Sequence, residues 1–420
     1  MRERYVGTVS RGIRAPVIRA GDDIVSIVVD SVVQAAEGED FVLRNRDIVA
    51  ITEAVIARAQ DNYATLDDMA ADLARHFDLT RPLGIVFPIL SRNRFAVNLR
   101  AFARACRKIV LQLSYPADEV GNSLLNKDQL EASGINPYSD LLTEAEFREL
   151  FGLQPHIFTG IDYIECYREI IQEEDCEVEI ILANDPTRIL AYTDQVLHCD
   201  IHTRLATGQK LRSAGAATVV GMHELMREPV NGSGYNPEFG LLGSNKATEE
   251  SVKLFPRDCY PAVRQIQAAL FERTGKHIEV MIYGDGAFRD PVGQIWELAD
   301  PVVSPAYTEG LEGTPSELKL KYLADNQFGD LEGAELQTAI KGFIAAEHEA
   351  HCSTQPTTAD ATADVVTPAV IDNIREGTTP RRIPDLLGSL ADLTSGSGDK
   401  GTPIVLIQGY FDNFGDGYKD

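Results

Sequence analysis

The sequence predicts an α/β or α+β protein built in more than one part, and three observations predict it. Short apolar, β-rich runs recur, among them Ile48–Ile51 and Gly84–Leu90. Amphipathic, charge-bearing stretches of helical length alternate with them, an order that suits a sheet with covering helices. A length of 420 residues is enough for two or three domains with a sizeable core.

Taken in order, Arg14–Ile18 reads as an extended stretch held by Pro16. Gly21, Asp22 and Asp23 then open an amphipathic helix, Ile24–Ala36, with carboxylates at its positive end. Asp47–Thr52 reads as a buried strand and Glu53–Asn62 as the helix after it. In the middle, Gly84–Leu90 is a strand, Ser91–Arg94 a turn, Phe95–Arg107 a helix and Lys108–Ser114 a strand. Helix Tyr163–Glu174 then leads to strand Glu177–Ala183. Strand, helix, strand at this spacing predicts a parallel sheet. After a Gly/Asn-rich stretch, Asn231–Tyr235, come helix Tyr260–Thr274 and strand His277–Tyr283. A Thr/Ala/Asp-rich segment, Ser353–Asp364, reads as a loop or linker, and a last strand spans Pro403–Gln408. The expected divisions are residues 1–77, 78–230 and 231–420.

Composition narrows the partners. Lys plus Arg is 39 against 64 Asp plus Glu, a formal charge of −25, so a nucleic acid is not an expected partner. No apolar run approaches the ~20 residues that span a bilayer, and the charged N-terminus resembles no secretory signal. Six scattered cysteines without a C-x-x-C pair fit reduced thiols and a cytoplasmic location.

Three stretches carry chemistry. In Gly240–Thr248 two glycines, Ser244, Asn245 and Lys246 come together between apolar runs. Backbone amides there can cradle a phosphate with Lys246 adding charge, although the Walker spacing is absent and an ordinary turn also fits. At Tyr283–Pro291 an apolar strand runs into Gly284-Asp285-Gly286, followed by Arg289 and Asp290. Ligands gather at the carboxyl ends of strands in α/β proteins, and a carboxylate there suits Mg²⁺ or Mn²⁺; a β-turn capped by Asp285 is the competing reading. The third stretch, Gly401–Tyr410, is a buried strand ending in Gln408 and Gly409. His198, Cys199 and His202, and separately Glu347, His348, His351 and Cys352, look metal-like. Neither group has a second cluster, so core or surface histidines are the expected reading.

In order along the chain, Pro16–Ile24, Asp47–Ala59, Gly240–Lys246 with Val252–Asp258, Val280–Arg289 and Gly401–Gly409 resemble the motifs of the coenzyme F420 γ-glutamyl ligases. The resemblance covers roughly residues 1–65 and 231–420, and 78–230 resembles a long insertion into the short enzymes. Ser91–Phe95 and Gln112–Asn122 are similar to stretches of long bacterial members.

The resemblance implies a mixed-sheet ligase core with an inserted α/β segment, and an acid–amino-acid ligase. GTP, or ATP, phosphorylates a carboxylate acceptor, and L-glutamate then attacks the acyl phosphate. It implies Mg²⁺ or Mn²⁺ and a homodimer. It places Asp285 as a metal ligand, Arg289 and Lys246 with it in catalysis, and Thr52, Glu53, Arg58, Ser244, Asn245, Gln408 and Gly409 at the nucleotide. Four positions depart from the family pattern: Leu242 replaces a metal-binding Asp, Gly286 a Thr, Gln408 an Arg and Ala54 a Lys. Glu238 and Asp290 are the expected replacements in the metal sphere. The acceptor is expected to be F420-0 or a folate; a binding-only relative is the alternative.

Overall fold

The computed structural model describes residues 5–87, 89–90, 94–118, 121–156, 160–201, 203–284, 288–289, 296–297, 302–315, 319–352, 382–396 and 398–414. The chain starts with β1 (Val9–Ile13), α1 (Ile24–Gly38), β2 (Ile48–Thr52), α2 (Glu53–Ala59), β3 (Tyr63–Thr65) and α3 (Leu66–His76). Asp23 caps α1, its Oδ1 accepting from the amides of Val25 and Ser26 at 3.1 and 3.3 Å. Thr65 and Asp68 form a reciprocal capping box on α3.

The middle of the chain runs β4 (Leu83–Phe87), α4 (Arg94–Ala105), β5 (Lys108–Leu113), α5 (Lys127–Ser133), β6 (Leu142–Thr143), α6 (Glu144–Phe151), α7 (Tyr163–Glu173), β7 (Glu177–Leu182), β8 (Gln195–His198), α8 (Arg204–Ser213) and β9 (Thr218–Gly221). Its sheet has the order β6-β7-β5-β4-β8-β9, parallel except for β6. The winding steps outward from β4 through β5 to β7, then returns to β8 on the other side of β4. A topological switch point therefore lies between the carboxyl ends of β4 and β8. The buried residues of β4 and β5 form near-continuous apolar runs, as a sheet covered on both faces requires.

The last part runs β10 (Asn245–Thr248), β11 (Ser251–Lys253), α9 (Cys259–Thr274), β12 (Glu279–Tyr283), β13 (Phe288–Arg289), β14 (Trp296–Glu297), β15 (Ala306–Tyr307), α10 (Leu320–Tyr322), α11 (Gly333–Cys352), α12 (Ile383–Ser395) and β16 (Ile404–Gln408). Both ends of the chain build one mixed sheet, β1-β16-β2-β12-β15. Among the described residues β2 and β12 are its parallel pair, with Tyr283 beside Thr52. Val49, Ile51, Val280, Ile282 and Leu406 pack on Val28 and Val32 of α1 and on Val263, Ile266 and Leu270 of α9. Ile48, Ala50, Met281, Val405 and Ile407 face Leu387 and Ala391 of α12. A third sheet, β10-β11-β3, joins the two parts.

The first strand, Val9–Ile13, pairs with Ile404–Gln408 and lies just before the stretch Arg14–Ile18. Pro16 has no amide to offer a ladder, and the chain leaves the sheet after Ala15 N donates to Gly401 O at 3.1 Å. The other named elements stand within a few residues of their expected bounds. Asn245–Lys246, expected in a loop, begins a strand instead: once Gly240–Gly243 has turned, β10 hydrogen-bonds to β11. Ser353–Asp364 lies outside the described residues.

Candidate active site

Parallel pairing sets the geometry. The carboxyl ends of β2 and β12 lie side by side, so Thr52 and Glu53 neighbour Tyr283 and Gly284, the residue before Asp285. The joining sheet brings a cation to this corner. Lys253, in β11, places Nζ 2.7 Å from Glu53 Oε1, with side chains 12% and 4% exposed. Asn245 lies directly across from Lys253 in the β10–β11 ladder. Adjacent Ser244 is buried, its Oγ accepting from Asn98 Nδ2 at 3.1 Å. Lys246 is exposed and its ammonium pairs with Glu249.

The turn before this strand is tightly fixed. Asn236 accepts from the amides of Glu238 and Phe239 at 3.0 and 2.7 Å, while its Nδ2 donates to the carbonyls of Phe255 and Pro256. Gly240 has φ of 53°, and a Cβ there would stand 2.2 Å from Leu225 O, so only glycine fits. Leu242 is 1% exposed and belongs to the hydrophobic cluster that continues into the inserted sheet.

Cys259 opens α9 beside this corner. Burial pushes its thiol up to about 12, and the negative charges of Glu53, Asp258 and Glu238 add to the shift. The group is a neutral thiol at physiological pH, which removes it as a nucleophile.

A model of the family described as F420-0:Gamma-glutamyl ligase matches residues 12–409. The chain belongs to this family. Family membership makes the protein a γ-glutamyl ligase, with glutamate and an F420-type acceptor as the substrate classes. No curated protein matches the chain.

Within the ligase, Thr52, Glu53, Ser244 and Asn245 are brought to one corner, and Lys246 continues the strand that carries Asn245. Arg58 lies at the far end of α2, where Nε donates to Ile18 O at 2.8 Å and Nη1 to the Tyr63 hydroxyl at 3.1 Å. Gln408 and Gly409 lie elsewhere. β16 runs antiparallel to β2 with Ile407 beside Ile48, so Gln408 stands level with Asp47, about 17 Å from Thr52 along the strand. The Gln408 amide is held there, accepting from Arg11 Nη1 at 2.7 Å and donating to Asp47 Oδ2 at 2.6 Å and Val42 O at 3.0 Å. Asp285 and Asp290 lie outside the described residues, and Arg289 is placed only as a backbone position paired with Trp296.

No group of three His, Cys, Asp or Glu side chains suited to a metal occurs among the described residues. His198 is instead buried against Asp200, Nδ1 to Oδ1 at 2.8 Å, which agrees with a core histidine. His202 and the side chains of Glu347, His348, His351 and Cys352 lie outside the described residues. No described helix is long and apolar enough to cross a membrane. An open cavity of about 590 Å³ lies between Asp72, Arg75 and His76 of α3 and Glu224, Arg227 and Glu228. None of the residues singled out in the sequence lines it. Lys253 was not singled out, because a lone lysine in a short polar strand carries no pattern; its position opposite Asn245 follows only from strand pairing.

Proposed function

We propose that the ligase uses a nucleoside triphosphate, GTP first and ATP second, to join L-glutamate through an amide to the carboxylate of an F420-type acceptor. The observation that carries this reading is the convergence of Glu53, Lys253 and Asn245 at the carboxyl ends of β2 and β12, beside Gly284. A carboxylate oxygen of the acceptor attacks the γ-phosphorus, and the nucleoside diphosphate leaves. The glutamate amine then attacks the acyl carbon, loses its proton, and expels phosphate as the C–N bond forms. Both substrates and the triphosphate are anions, so the site must supply positive charge and hold the reacting atoms together.

Asp285 is the residue proposed to hold Mg²⁺ or Mn²⁺, with Glu238 and Asp290 to complete the sphere; the ion would neutralise the polyphosphate. The chemistry of the donors fits a hard cation, since all three are carboxylates. Lys253 supports the reading as a cation held at the strand ends by Glu53, and Asn245 as a neutral donor in the same corner. Ser244, Lys246 and Arg289 are proposed to act with them, in a homodimer.

The test is product formation by the full-length protein with GTP, Mg²⁺, L-glutamate and F420-0. Mass spectrometry should find the glutamyl amide, with one GDP and one phosphate formed per amide. Hydrolysis of GTP unaffected by both glutamate and F420-0, with no amide, would sink the proposal.

A further inference from the structure

We propose that Arg104, helped by Arg100, is a positioning residue for the ligase reaction: from α4 it grips the tip of the β10–β11 hairpin, and so holds Asn245 and Lys253 in the corner proposed for phosphoryl transfer. This rests on the ligase reading above.

The hairpin holds itself poorly. β10, which carries Asn245, is the edge strand in the order β10-β11-β3. Its two-residue loop is Glu249-Glu250, and neither is the Gly, Asn or Asp that such turns favour. Lys246, Ala247 and Thr248 are exposed, so these residues of β10 add no apolar anchor. A two-stranded ribbon this short is marginal in water. The place of Asn245 is therefore set by what the hairpin is tied to.

Both ends of the hairpin are tied to α4. At the base, Asn98 Nδ2 donates to the hydroxyl of Ser244 at 3.1 Å. At the tip, Arg104 Nη1 donates to Glu250 Oε2 at 3.2 Å and to Asp67 Oδ1 of α3 at 3.0 Å. Arg104 Nε and Nη2 donate to the two carboxylate oxygens of Glu174, the C-cap of α7, at 2.9 and 3.1 Å. That two-pronged contact fixes the guanidinium plane and leaves Nη1 for the hairpin. Arg100, one turn earlier, donates to Glu173 at 2.9 Å and lies 3.9 Å from Glu249. The backbone of the tip is held at the same place, where Leu66 N donates to Glu250 O at 3.0 Å.

Charge makes the arginines decisive. Asp67, Glu173, Glu174, Glu249 and Glu250 all gather around the two guanidiniums. Without Arg104, Glu250 would face Asp67 and Glu174 uncompensated, and like charges would push the tip away from α4. The ladder sets Lys253 directly opposite Asn245, so a displaced hairpin moves both, and with them the ion pair to Glu53. A shift of about 1 Å in groups that orient reacting atoms is enough to slow a reaction strongly.

The experiment uses the full-length protein with Mg-GTP, L-glutamate and F420-0. Arg104→Gln should lower kcat about tenfold and raise the Mg-GTP Kd, read by calorimetry, about fivefold. Glu250→Gln removes the hairpin's side of the contact and leaves Arg104 on Glu174 and Asp67. The Glu250 side chain is 64% exposed, so this variant keeps its fold whatever Arg104 contributes between α4 and α7. It should reproduce the defect, and the double variant should be no worse than Arg104→Gln, because the two changes break one contact. Arg104→Lys keeps the charge without the two-pronged grip and should recover part of kcat. A Glu250→Gln protein with kcat and Mg-GTP Kd within about twofold of wild type, or a double variant whose losses multiply, would overturn the assignment. So would an Arg104→Gln protein that loses melting temperature alone. Wild-type protein that forms no amide would sink the ligase reading together with the inference. An active wild type whose kinetics the variants share would sink the inference alone.

Discussion

The two large sheets present their carboxyl edges to the same short segment, residues 244 and 245, but with different chemistry. The core sheet offers charge: Glu53 and Lys253 are paired at 2.7 Å beside Gly284 at the end of β12. The inserted sheet offers neutral amides and a histidine–aspartate pair, with Asn98, Gln112, His198 and Asp200 all buried. Charge in a partly dry corner suits stabilisation of a phosphoryl group, whereas neutral acceptors suit recognition of a ring or amide.

The largest effect is expected at the charged edge. Asp285→Asn should abolish Mg²⁺- or Mn²⁺-dependent nucleotide binding and turnover while leaving the melting temperature within a few degrees of wild type. Calorimetry that finds the metal-nucleotide affinity unchanged would contradict this.

The next sharpens the role of the ion pair. Lys253→Met strands a buried carboxylate and should cost about 3–5 kcal/mol in chemical denaturation. Replacing both Lys253 and Glu53 with Met should recover most of that stability, yet turnover should stay depressed by about 100-fold or more. A double variant that regains both stability and turnover would make the pair purely structural.

Lys246 is exposed and already paired with Glu249, so Lys246→Ala should raise the nucleotide KM by only about tenfold, near 1.5 kcal/mol. Steady-state kinetics with KM and kcat both within twofold of wild type would reduce this stretch to a strand edge.

The last concerns Cys259. With its thiol pushed up to about 12, the thiolate is scarce until the solution approaches that pH. Alkylation of Cys259 at pH 8 should run roughly a thousandfold slower than that of a free cysteine and should accelerate as pH rises. Peptide mapping that finds Cys259 modified as fast as free cysteine would show that the burial and the surrounding acids do not govern it.

Much of the fold was legible because its strands are apolar runs of the right length. Ile48–Thr52, Leu83–Phe87 and Ile404–Gln408 are buried along their length, and such runs announce themselves. What pattern could not reveal was pairing. Asn245–Thr248 is polar and largely exposed, and nothing in its alternation reads as a strand until β11 is beside it. The same limit hid Lys253, whose importance comes from a partner 200 positions away. Nor could pattern show that the antiparallel register of β16 carries Gln408 and Gly409 to the end of β2 opposite Thr52. Leu242 was legible as a departure from the family pattern; that it is packed in a core shared with the insertion required the structure.

The most direct test of the central claim, that the ends of β2 and β12 form the phosphoryl-transfer centre, is the anomalous scattering of Mn²⁺ in crystals grown with GTP. The account predicts a peak with an Asp285 oxygen at about 2.1 Å, the triphosphate beside Lys253 and Asn245, and a further carboxylate from Glu238 or Asp290. A metal and triphosphate bound away from this corner, at Gln408 or in the cavity beside Arg75, would contradict it.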